Sequence, residues 1–98
     1  MDESKRNEYT LIFSDVSLED LAFHDKAGNQ TTIKRTNRIL TELEKNPFVG
    51  IGKPHTLKYD YSGLWSRHLN EKDVIIYDVN EIKKTVQIYS ARYHYLDK

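Results

Sequence analysis

The chain has no cysteine, which excludes disulfide staples, thiolate metal ligands and cysteine nucleophiles and fits a reducing compartment. No apolar run approaches the ~18 residues of a membrane span. The stretch after Met1, Asp2-Glu3-Ser4-Lys5-Arg6-Asn7, lacks the apolar centre of a secretion signal, so the expectation is a soluble, cytoplasmic protein without a membrane partner. The four histidines (His24, His55, His68, His94) show no metal-binding spacing such as His-x-x-x-His. No metal or cofactor is therefore expected. Gly50-Ile51-Gly52-Lys53 has neither the length nor the Ser/Thr of a nucleotide phosphate loop, and Ser62 and Ser66 lack a nucleophile-elbow context. Proline and glycine are scarce, and both prolines with two of the four glycines fall between Asn46 and Pro54, which marks an ordered loop rather than a linker. With 98 residues, no internal repeat and no low-complexity segment, residues 1–98 are expected to form a single domain, with 1–7 a flexible N-terminus.

Formal net charge is zero, yet the charges are unevenly spread. Residues 1–25 hold seven acids against two bases, and residues 26–72 hold nine bases against four acids. The middle of the chain can meet phosphates; the N-terminal part cannot. Solvated helix faces of alternating sign would give the same counts.

What is present reads as one strand, two helices and a run of strands. Tyr9-Thr10-Leu11-Ile12-Phe13 is β-branched and aromatic on both faces, which predicts a first strand near the middle of a sheet. Ser17 reads as the N-cap of a short helix ending at Gly28-Asn29, with Leu18, Leu21 and Ala22 at helical spacing. From about Thr31 a second helix buries Ile33, Thr36, Leu40 and Leu43 and turns Lys34, Arg35, Arg38, Glu42 and Lys45 outward, until Pro47 stops it. Thereafter the period becomes two. Strands are predicted over Leu57–Tyr59, Leu64–Leu69, Val74–Val79 and Thr85–Ala91, with Val74-Ile75-Ile76-Tyr77 central because both its faces are apolar. The order β-α-α-β-β-β-β predicts an α+β fold with an antiparallel-rich twisted sheet and the two helices on one face. Arg67 and His68 must point to opposite faces.

Lys53, His55, Lys58, Arg67, Arg92, Tyr93, His94 and Tyr95 combine cations, histidines and rings on the loop and on strands whose ends could converge. These are the side chains RNA cleavage needs. The 2′-hydroxyl attacks the adjacent phosphate when one group takes its proton, another protonates the leaving 5′-oxygen and cations stabilise the phosphorane. Histidine serves either proton role, and rings stack on unpaired bases. Each residue also has an ordinary reading: Lys58 and Arg67 as solvated strand charges, His94 as a packed terminal side chain, His55 as an exposed loop residue, His68 and His24 at the surface, and Trp65 in the core.

Asn46-Pro47-Phe48-Val49-Gly50-Ile51-Gly52-Lys53-Pro54, Leu57-Lys58-Tyr59, Ser62-Gly63-Leu64-Trp65-Ser66-Arg67, Ile75-Ile76-Tyr77 and the closing Tyr93-His94-Tyr95 resemble, in this order, the YoeB/Txe branch of the RelE-like bacterial toxins. The resemblance covers about the last fifty residues and extends to the strand-helix-helix plan before them. It implies a RelE-like fold and the toxin of a type II toxin-antitoxin system, an endoribonuclease that cuts mRNA on the ribosome without metal or cofactor. It also implies a cognate antitoxin of the YefM/Phd-like kind as partner, and makes a homodimer plausible. Carried over by position, His94 is the general acid, Tyr95 shapes the site and Lys58 contacts phosphate; Lys53, Arg67, Arg92 and Tyr93 are further RNA-binding candidates. Three positions depart from the family. His55 stands where the family has a Glu, a candidate base; Val74 where it has a phosphate-clamping Arg; His68 where it has the second Arg of Ser-Arg-Arg. A His55/His94 pair dividing base and acid roles is one consequence. A weakened homologue that binds antitoxin or RNA but cuts poorly is the other, and an ordinary RNA-binding domain a third.

Overall fold

The computed structural model describes residues 8–92; Tyr93, His94 and Tyr95, and the N-terminal segment 1–7, lie outside them. The element order is β1 (Thr10–Phe13), α1 (Asp15–Ala27), α2 (Gln30–Lys45), β2 (His55–Thr56), β3 (Trp65–His68), β4 (Val74–Asn80) and β5 (Thr85–Ser90), with one 3-10 turn at Tyr59–Tyr61. The strands form one sheet in the order β1-β5-β4-β3-β2. Only β1 and β5 run parallel; every other pair is antiparallel. The expected α+β plan with an antiparallel-rich sheet and two N-terminal helices is the fold observed.

The core forms where α2 meets the sheet. Ile39 and Leu43 of α2 pack with Leu69, Ile75, Tyr77, Val86 and Ile88, and Trp65 packs at the edge of this cluster as expected. Trp65 stacks on Tyr77 at 6.4 Å and meets Phe48 at 5.3 Å. Strand β4 sits among the central strands and buries Val74, Ile75, Ile76 and Tyr77 on both faces, as its unbroken apolar run requires.

The first strand lies at the edge, not the middle. Only one face of β1 is covered: Leu11 and Phe13 pack on the core while Ile12 is largely exposed. Its start is fixed from outside the sheet by the Tyr9 N–H, which donates to the Glu44 carbonyl at 2.9 Å. The strand predicted at Leu57–Tyr59 moves back to His55–Thr56. Tyr59 adopts φ 59, which no strand accommodates, and the last ladder bond is the Leu57 N–H to the Leu64 carbonyl at 2.9 Å.

Helix α1 differs most from its sequence expectation. Ser14, not Ser17, is its N-cap, accepting from the Ser17 N–H at 3.0 Å, and Gly28 closes it in the left-handed conformation. The buried stripe is polar: Ser17, Asp20 and His24 face inward, whereas Val16, Leu18 and Phe23 are exposed. Inward polar groups are stable there because they complete backbone hydrogen bonds that no strand supplies. The Ser14 hydroxyl donates to the Tyr89 carbonyl, Asp20 accepts the Ala91 N–H at 2.9 Å and His24 Nε2 donates to the Ala91 carbonyl at 2.7 Å. Among the described residues no helix is long and apolar enough to cross a membrane.

Candidate active site

Side chains alternate across a sheet, so the register alone sorts the candidates by face. Trp65 and Arg67 of β3 pair with Tyr77 and Ile75 of β4 and face α2; Ser66 and His68 pair with Ile76 and Val74 and face away from it. His55 of β2 is opposite Ser66. His55, Ser66, His68 and Val74 therefore share the sheet face turned away from α2, where Ser66 and Val74 are buried, His68 is half-buried and His55 is exposed, and this face is the candidate site.

Two glycine-rich turns deliver His55 to it. Gly50 passes so close to Glu42 and Arg67 that a Cβ would collide with both, and Gly52 (φ +86) would place a Cβ 2.8 Å from the His68 carbonyl. The Gly52 carbonyl accepts the His68 N–H at 2.8 Å, after which Lys53, at φ 53, turns the chain into β2. The histidine is then oriented at both nitrogens. Its Nδ1 lies 3.0 Å from the Lys53 carbonyl, and since a carbonyl only accepts, Nδ1 carries the proton and neutral His55 keeps its lone pair on Nε2. Nε2 faces the Ser66 hydroxyl at 3.3 Å, a bond long enough to exchange for an incoming hydroxyl. The His68 ring lies 6.3 Å from that of His55. Such an arrangement can accept a proton from a hydroxyl bound at Nε2.

Lys53 and His68 line one cleft with Arg35. Lys58 is exposed on the chain leaving β2, and among the described residues no side-chain bond ties it elsewhere. Two expected RNA-binding cations are placed otherwise. Arg92 lies flat on the Phe23 ring of α1, 3.6 Å from its centroid, an association of cation and ring that ties it to the first helix.

Arg67 is a correction. It is fully buried, and its guanidinium is spent on Glu42 at 2.7 Å, on the Val49 carbonyl at 2.7 Å, on the carbonyls of Ile51 and Pro47, and on the Tyr77 hydroxyl. It cannot reach a phosphate on the opposite face. Its work is to close the 47–51 loop onto α2 and β4. Glu42, expected to face outward, is its counter-ion. Burial alone would raise the Glu42 carboxyl, but the Ile51 N–H together with Arg38 and Arg67 outweighs it and holds the group below its ordinary value. Burial likewise pushes the Tyr77 phenol up, against the opposing influence of Arg67.

His24 was expected at the surface. With Asp20 it instead holds both backbone groups of Ala91, fixing the chain just before Tyr93, His94 and Tyr95. The signal was present as an Asp-x-x-x-His spacing on α1, which places both side chains on one helix face; only the tertiary structure says what they hold. Among the described residues no three His, Asp or Glu side chains group as a cation site.

Comparison with known proteins bears on what this face is for. Residues 13–95 match a family model described as the YoeB-like toxin of bacterial type II toxin-antitoxin systems. The YoeB toxin of Escherichia coli is 34% identical over 85 residues, covering 87% of this chain and 98% of that protein. A solved YoeB/ParE toxin from Agrobacterium tumefaciens superposes with a TM-score of 0.78 at 27% identity, covering 88% of this chain and 99% of the other. From Staphylococcus aureus, a YoeB dimer gives a TM-score of 0.75 at 29% identity over 90% and 99% of the two chains, and a YoeB-YefM complex 0.74 at 31% over 89% and 98%.

Proposed function

The chain belongs to the YoeB-like toxins of bacterial type II toxin-antitoxin systems, and from that premise we propose that it is a ribosome-dependent mRNA endoribonuclease acting by 2′-hydroxyl transesterification. The observation that carries the reading is the placement of an exposed His55, its Nε2 turned to the Ser66 hydroxyl, on the sheet face away from α2 and level with the end of β5. His55 pairs with Ser66, Ser66 with Ile76, and Ile76 with Ser90. His94, outside the described residues, follows four positions after Ser90 in the sequence.

In this reading His55 Nε2 takes the proton of the 2′-hydroxyl, displacing Ser66. The oxygen attacks the adjacent phosphorus, and His94 gives a proton to the departing 5′-oxygen, leaving a 2′,3′-cyclic phosphate. Tyr95 packs the substrate, Tyr93 stacks on a base, and Lys53 and Lys58 balance the phosphate charge. The partner is an antitoxin of the YefM kind, as in the S. aureus complex, and free toxin forms a homodimer, as does the S. aureus protein. The competing reading, a binding module that cuts poorly, is favoured by the aliphatic Val74, buried where the family has its phosphate-clamping Arg.

Induced expression without a partner gene, with mapping of mRNA 5′ ends, separates the two. The nuclease reading predicts growth arrest and new cuts at the ribosomal A site, with His94→Ala and His55→Ala each reducing cutting by at least ~100-fold. Folded wild-type protein that produces neither arrest nor cuts would leave the binding module.

A further inference from the structure

Beside His55 a cleft of about 500 Å³ opens between the start of α2 and the end of β3, lined by Thr31, Arg35, Lys53, His68, Asn70 and Glu71 among others. Its walls are built to hold His68 still. The His68 N–H is fixed to the Gly52 carbonyl at 2.8 Å, and the His68 carbonyl accepts from Arg35 Nε at 3.2 Å. Gly52 is buried under this contact and tolerates no Cβ. Asn70, by contrast, is consumed internally, donating to Thr32 and Asp73 and accepting the N–H groups of Lys72 and Asp73.

The cationic ends remain available. Arg35 uses only Nε among the described residues, leaving both terminal nitrogens, and neither the Lys53 ammonium nor the His68 ring has a hydrogen-bond partner there. One acid, Glu71, opposes two permanent cations. His68 is also the direct cross-strand partner of Val74 on the face that carries His55, so its ring lies beside the position at which this chain lacks a guanidinium.

The geometry points to this cleft as an RNA subsite, in which Arg35 and Lys53 hold the phosphate next to the scissile one and the His68 ring contacts the scissile phosphate in place of a residue-74 cation. This rests on the nuclease reading and adds to it the path of the strand: from the His55 row over His68 and into the cleft toward α2. A planar guanidinium and a flexible ammonium lining one cleft suit a phosphodiester.

The test is a titration of the protein with a 2′-O-methyl RNA pentanucleotide, which cannot be cut, followed by NMR of histidine-ring and arginine side-chain signals. His68 and Arg35 signals are expected to shift. The slope of log K against log salt should flatten by about 0.7 for each of Arg35→Gln and Lys53→Gln, and His68→Gln should weaken binding about tenfold while His68→Arg retains it. Lys53→Gln removes an exposed ammonium with no hydrogen bond or ion pair among the described residues and serves as the variant least coupled to folding. Shifts confined to other residues, or an unchanged salt slope in Lys53→Gln, would overturn the subsite. So would equal shifts with inorganic phosphate alone and none with the oligonucleotide, which would reduce it to a simple anion site. Because the probe is uncut and no ribosome is present, failure here leaves the cleavage result standing, and failure of cleavage leaves this one standing.

Discussion

Arg67 shows how burial reverses the meaning of a residue. A positive charge on a strand in the basic middle of the chain reads as a phosphate contact, because its acidic partner is 25 residues earlier on a helix and no local pattern joins them. Once Glu42 and the 47–51 carbonyls are in place, the same charge is a structural rivet. Removing one member of a buried pair strands the other, so Arg67→Leu should cost about 3 kcal/mol in denaturant unfolding and abolish packing of the 47–51 loop. Glu42 adds a pH signature. Its folded value is lowered from 4.5, so the unfolded chain takes up the proton first as pH falls. The contribution of Glu42 is whole above about 4.5 and is lost as pH drops through the folded value. Urea midpoints measured from pH 6 downward should fall below that point, and Glu42→Gln should be less stable at neutral pH with a flatter acid profile. An acid limb of equal depth in the variant would contradict this. His55, by comparison, was a candidate from its type and place in the sequence; the donor role of its Nδ1 follows only from the Lys53 carbonyl opposite it.

At the scale of elements, β4 followed from its apolar run and α2 from periodicity, although α2 buries Thr32 and Ile39 beside the expected Thr36 and Leu43 and leaves Ile33 and Leu40 half-buried; α1 did not follow because its burial is polar. A stripe of Ser17, Asp20 and His24 carries no hydrophobic signal, while Val16, Leu18 and Phe23 carry one and stay exposed. The helix is held by hydrogen bonds to β5 and to Ala91. Asp20→Ala with His24→Ala leaves both polar groups of Ala91 unsatisfied, at about 1–3 kcal/mol each. Hydrogen exchange is expected to speed up over residues 89–92 well before the α2–β4 core, and uniform loss of protection across the chain would argue against a local clamp. The same variant should lower the turnover of ribosome-bound mRNA more than its affinity, since the clamp sets where the chain goes after Ala91. The edge position of β1 was also hidden, because apolar residues on both faces of a short strand say nothing about how many neighbours it has.

Over the whole molecule, the topology sets His55 and the end of β5 at one level of the sheet. The 46–54 loop delivers His55 to β2, and Ser90 lies level with it on β5, three strands away. On the proposed reading, the division of acid and base between His94 and His55 is a claim about the fold as much as about either residue, with a histidine at the position where the family has a carboxylate. The most direct measurement uses purified protein, programmed ribosomes and an mRNA carrying a single 2′-deoxynucleotide at the mapped cut. All-ribose message should be cut to a 2′,3′-cyclic phosphate end by wild-type protein and not by His94→Ala, and the deoxy-substituted message should remain intact. Cutting of the deoxy message at the same position, or undiminished cutting by His94→Ala, would contradict 2′-hydroxyl transesterification by this pair.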